Sequence, residues 1–159
     1  MGILLSILLI LTLFCSLICA WGGVFWQKQD TKRHKTLLWA VIFLAMSLGL
    51  TMYVLQYEQM YAQAKRTFEV TAKQTVQNFK KVRHACQNKC VNVNYQKVLL
   101  KNRKDIVKDN YLNNKQIMNY ALEQMNENKT LFNLTDYRHA KKVAHTLHRR
   151  YQKLTTKNI

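Results

Sequence analysis

The sequence predicts an all-α membrane protein: a two-helix transmembrane hairpin followed by a small basic helical domain of three to four helices. Three observations predict it. Two long uncharged runs lie near the N-terminus, at residues 3–26 and 37–55. All four glycines (Gly2, Gly22, Gly23, Gly49) fall in the first 50 residues and there is no proline, so residues 50–159 lack both strong chain breakers and favour long helices. The charge divides at the same place. Residues 1–55 carry 4 Lys/Arg and one acid, whereas 56–159 carry 21 Lys/Arg against 7 acids, a net charge of +14. The hairpin is therefore assigned to 1–55 and the basic domain to 56–159.

The first run, 24 residues, rises about 36 Å as a helix, more than the roughly 30 Å of a hydrocarbon core. The second, 19 residues, rises about 28 Å. Two such runs joined by ten residues fit two spans better than two buried core helices. A cleaved signal peptide fits less well, because the n-region has no Lys or Arg and the apolar stretch is too long. Gly22 and Gly23 are expected to loosen the helix end, and no small-xxx-small pattern is read along the run. The connector, residues 27–36, is a tight hairpin turn. Trp21 and Trp26 precede it, Trp39 follows it, and Tyr53 and Tyr57 lie at the far end of the second run. These five rings are candidate membrane-interface anchors, since Trp and Tyr present an apolar body and a polar tip. The connector has four Lys/Arg in ten residues and the N-terminal tail none. The positive-inside rule thus places the connector in the cytoplasm and the C-terminal domain outside, in an inner or plasma membrane.

Beyond the hairpin, Met60, Ala64, Phe68, Thr71, Thr75, Phe79, Val82 and Cys86 recur at steps of 3 and 4, one face of a helix. No breaker separates this stripe from the second run, which predicts one continuous helix from about 37 to 84. It is expected to stop near 86–94, where Val91 to Tyr95 alternate as an extended stretch does. A second helix is expected over 95–108 with Tyr95, Val98, Leu99 and Ile106 inward. Turns follow at Asp109-Asn110 and Asn113-Asn114. A third helix, 115–126, would bury Ile117, Ala121, Leu122 and Met125. Residues 128–135 form a loop. The last helix, 136–154, is capped by Thr135 and packs through Tyr137, Ala140, Ala144, Leu147, Tyr151 and Leu154.

Chemistry is sparsely signalled. Cys86 and Cys90 are candidates for a disulfide, which outside the cytosol would close a very short loop, while Cys15 and Cys19 read as small apolar fillers. His84 with Cys86 and Cys90, or His139, His145 and His148, match no closed zinc spacing, so no metal and no cofactor is expected. Serine is absent after Ser47 and glycine after Gly49, which removes a serine nucleophile and a phosphate-cradling glycine loop from the basic domain. An enzyme is not expected. Asn128-Lys129-Thr130 and Asn133-Leu134-Thr135 match the N-glycosylation triplet.

The basic surface is the main functional signal. Its clusters are Lys80, Lys81 and Arg83; Lys101, Arg103, Lys104 and Lys108; Arg138, Lys141 and Lys142; and Arg149, Arg150 and Lys153. A charge of +14 on about 100 residues exceeds what solubility needs. The leading expectation is a non-enzymatic, membrane-anchored interaction or structural subunit. Its partners would be membrane lipid, an anionic envelope component, or other subunits of a larger membrane assembly. A membrane-tethered nucleic-acid-binding protein is the alternative if the domain is cytosolic, with Tyr95, Tyr111, Tyr120, Tyr137 and Tyr151 as stacking platforms. Core packing accounts for most of those rings more simply. A pore-forming or channel-regulating hairpin is the third reading, opposed by the lack of charged residues within either run.

Overall fold

The computed structural model describes the backbone of residues 1–25, 30–87 and 93–156, and the side chains of these except 23, 25, 30–33, 82–87, 93–104 and 156. The described residues form four helices and no strand: α1 (Gly2–Phe25), α2 (Asp30–Gln87), α3 (Val93–Glu127) and α4 (Leu134–Thr156). They divide into two compact units, Met1–Tyr61 with Glu127–Leu134, and Ala62–Asn126 with Thr135–Ile159. Helix α2 contributes to both.

In the first unit, α1 and the N-terminal part of α2 are each long and apolar enough to cross a membrane. Only 11% of the apolar window of α1 and 17% of that of α2 is buried. Leucines, isoleucines and aromatics instead point outward along both, as at Leu4, Phe14, Leu17, Leu38 and Leu48. The connector is shorter than the sequence suggests: α2 already begins at Asp30, so 30–36 are helical. What α1 buries is its small polar line, Gly2, Ser6 and Thr12. On α2 the buried positions in the run are Ser47 and Val54. Gly2 is covered by the loop between α3 and α4, with Lys129 and Thr130 beside it. The hydroxyls bond within their own helices, Ser6 Oγ to Gly2 O at 2.9 Å, Thr12 Oγ1 to Leu9 O at 3.0 Å and Ser47 Oγ to Leu44 O at 2.8 Å. They are thus satisfied within their own helices. The half-buried thiols of Cys15 and Cys19 are free.

The second unit is a three-helix bundle of the C-terminal part of α2 with α3 and α4. Ala64, Phe68, Ala72, Thr75 and Phe79 of α2, Val107, Tyr111, Met118, Ala121 and Met125 of α3, and Ala140 and Leu147 of α4 form its core. Burying Met118 and Met125, at 2% and 0% exposure, contributes about 1.5–3 kcal/mol each. Phe79 and Tyr111 pack ring to ring at 5.8 Å, and Asn114 Nδ2 donates to Thr75 Oγ1 at 3.0 Å. These two contacts run in opposite order along the chain and make α2 and α3 antiparallel.

Helix α3 overturns three expectations. It is one helix of 35 residues rather than two, and Val93–Tyr95 are its first turn, not extended chain. The turn at 109–114 does not form because Asp109, Asn110 and Asn113 are exposed, where a poor helix former costs about 0.7 kcal/mol or less. Val107, Tyr111, Asn114, Met118, Ala121 and Met125, all buried but the half-buried Asn114, meanwhile hold one stripe straight through it, at steps of 4, 3, 4, 3 and 4. Ala121 and Met125 are buried as expected, but at two other positions the buried residue is the neighbour of the expected one. Ile106 is 59% exposed and Ile117 39%, while Val107 and Met118 are buried. In α2 the same slip occurs at Met60, which is exposed beside buried Tyr61. Leu122 is half-buried. The inward placements of Val82, Cys86, Tyr95, Val98 and Leu99 lie outside the described residues. Helix α4 begins at Leu134, so Thr135 is inside its first turn and is not the cap. Tyr137, Ala140, Ala144, Leu147, Tyr151 and Leu154 are buried or half-buried as their spacing predicts.

Candidate functional site: a cationic row on helix α4 and a clasped loop

The apolar face of α4 is spent on the bundle, which leaves its opposite face to solvent. Arg138, Lys142, His145, Arg149 and Lys153 follow one another at steps of 4, 3, 4 and 4, and all are exposed. At 1.5 Å per residue they form a row about 22 Å long. Lys141 and Arg150 flank it and are also exposed. The one acid of α4, Asp136, is turned to α2 and accepts from Lys65 Nζ at 2.6 Å. That hydrogen bond raises the Lys65 pKa, against the opposing effect of burial. No cation of the row is ion-paired to a described residue. Lys80, Lys81 and Lys108 are exposed on α2 and α3. The side chains of Arg83, Lys101, Arg103 and Lys104 lie outside the described residues, as do those of Cys86, Cys90 and Trp26.

The aromatic residues sort themselves by burial. Tyr111 is 2% exposed, stacks on Tyr151 at a centroid distance of 4.0 Å, and has its hydroxyl 3.1 Å from His148 Nδ1. Burial, with a smaller contribution from Tyr151, raises the Tyr111 pKa. Tyr137 is half-buried and Tyr120 is 64% exposed; Tyr95 lies outside the described side chains. So Tyr111 is buried in the core, and the half-buried Tyr151 has one ring face stacked on it. Although His145 and His148 are three residues apart, His145 is exposed while His148 is held by Tyr111. Among the described residues no three metal-ligating side chains gather. Between α2, α3 and α4 a cavity of about 280 Å³ is lined by Phe68, Ala72, Met125, Ala140 and Val143, with Lys65, Asp136 and His139 among its polar residues.

In the first unit the described interface candidates are exposed or half-buried. Trp21, Trp39 and Tyr53 are exposed by 74%, 54% and 61%, and Tyr57 is half-buried. Sequence reasoning missed Glu58. Its Oε1 accepts from Thr130 Oγ1 and, at 3.1 Å, from Asn133 Nδ2. Tyr61 donates its hydroxyl to Asn133 O at 3.2 Å, and Asn133 Oδ1 receives Thr130 N–H at 2.8 Å. Thr130, fully buried, also lies against the first turn of α1: a Cβ on Gly2 would stand 2.7 Å from Lys129 O and 3.4 Å from Thr130 Cγ2. The loop is thus clasped to both apolar helices at one end of the hairpin. The clasp closes the two N-x-T triplets. Asn128 and Asn133 are buried, and the Asn133 amide nitrogen, where a glycan would attach, is occupied by Glu58.

Comparison with known families, curated proteins and solved structures finds no match to this chain.

Proposed function

We propose that this chain is a non-enzymatic membrane-anchored interaction subunit. The hairpin of α1 and the apolar part of α2 spans the bilayer. The bundle presents a basic surface to an anionic surface or to an acidic partner in a larger membrane assembly. With the connector on the cytoplasmic side, the bundle lies outside the cell or in the periplasm. The observation that carries the reading is the row Arg138, Lys142, His145, Arg149, Lys153. A helix needs polar residues on its solvent face, but a face with no acid in five successive positions repels itself and favours a negative partner.

Close to an anionic surface each Lys or Arg contributes about 1 kcal/mol. The test compares the full chain with an Arg138→Gln, Lys142→Gln, Arg149→Gln, Lys153→Gln variant, both in neutral nanodiscs. Binding to vesicles containing anionic lipid and to an immobilised acidic polymer is measured against salt. The proposal expects the variant to release at lower salt and to show a weaker salt dependence. Equal retention of both proteins at every salt concentration would refute it.

A further inference from the structure

Four residues of the segment between α3 and α4 are tied down or packed: Asn128, Lys129, Thr130 and Asn133 are buried or half-buried. Leu131 and Phe132 remain, 40% and 66% exposed. A loop tip of two adjacent bare apolar residues is costly in water, and this one is not free to fold them away. Glu58 and Tyr61 fix the residues on either side of the tip, Thr130 and Asn133. The tip belongs to the same compact unit as the apolar helices. It lies at the hairpin end where α1 begins and the uncharged run of α2 gives out, beside the first turn of α1. Met1, Leu4, Met52, Tyr53 and Leu55 are exposed near that end of the two helices. The tip and these exposed apolar residues therefore lie at the same end of the unit.

We infer that Leu131 and Phe132 form a third membrane attachment, entering the boundary between headgroups and acyl chains in the leaflet where α1 starts. The inference rests on the reading of the hairpin as membrane-spanning. An aromatic ring suits that depth, and the polar backbone of a turn stays among the headgroups. The Glu58 clasp gives the tip its function: it holds the two side chains ready, so that little order is lost when they insert.

The test uses the full chain with Cys15, Cys19, Cys86 and Cys90 replaced by Ala. One cysteine at a time is returned, at Phe132, at Leu48 (63% exposed in the apolar part of α2) or at exposed Glu123, and labelled with an environment-sensitive fluorophore. Each protein is reconstituted in bilayers containing brominated lipid. The inference expects blue-shifted emission at 132 and quenching closer to that at 48 than to that at 123. Quenching at 48 without quenching at 132 overturns this inference and leaves the spanning hairpin standing. A blue shift at 132 without lipid quenching also overturns it, and assigns the tip to a protein partner. No quenching at 48 removes the spanning hairpin itself, and the third attachment with it.

Discussion

Replacing Glu58 separates the clasp from the bulk of the fold. Among the described residues no buried side-chain nitrogen or oxygen lacks a hydrogen-bond partner, so a new defect there starts from a satisfied state. Glu58→Ala strips the acceptor from the Thr130 hydroxyl, at 0% exposure, and from the Asn133 amide, at 6%. Each group left unsatisfied costs about 1–3 kcal/mol. The space vacated by the side chain admits water, which keeps the total near the lower end, about 2–3 kcal/mol. Both bonds go to the same oxygen, Oε1, so Glu58→Gln can keep both while losing charge assistance. That loss is roughly half the strength of each bond, about 1 kcal/mol in all. The cost falls on the loop, and Lys129 within it makes trypsin cleavage a local assay on the reconstituted full chain. Where cleavage tracks the open population, Glu58→Ala raises the rate about 30- to 150-fold and Glu58→Gln about 5-fold, at tenfold per 1.4 kcal/mol. Equal rates for the two variants, or no change in either, would refute the shared-oxygen clasp.

Gly2→Ala sets a methyl 2.7 Å from the Lys129 carbonyl oxygen. It should destabilise the loop contact by about 1–3 kcal/mol, read as faster cleavage after Lys129. Met125→Ala, at a fully buried site in the bundle, should cost about 2–5 kcal/mol in denaturant unfolding. Asn110→Pro should cost about 3 kcal/mol or more in the same assay if α3 is continuous; a neutral result would restore the turn that the sequence suggests. Stability should also fall in alkali. The pKa values of Lys65 and Tyr111 are raised in the folded chain. The stabilisation they bring is full below their unfolded values and is lost as pH rises through the folded ones, above about pH 10. Thermal melts from neutral pH upward should show that decline, and Tyr111→Phe should remove part of it.

Local pattern was enough to define the helical class, the two apolar runs and the cationic face of α4. Each is written in spacing or charge along a single helix: Ala140, Leu147 and Tyr151 on one side require Arg138, Lys142 and Arg149 on the other, whatever α4 packs against. Contact across the chain decided the rest. Asn113 and Asn114 read alike as turn residues, yet Asn113 faces solvent and Asn114 bonds Thr75, because the α2 surface extends past the place where α3 would otherwise break. Ile106 and Val107 are equally apolar, and only the rotational setting of α3 against Phe79 and the α4 rings selects the valine. Glu58 carries no signal in its neighbours, since its partners Thr130 and Asn133 are more than 70 residues away. Sequence periodicity sets which face of a helix is apolar to within about one residue. The angle at which that face meets its neighbours, and with it the clasped loop and its bare Leu131–Phe132 tip, belongs to the tertiary structure alone.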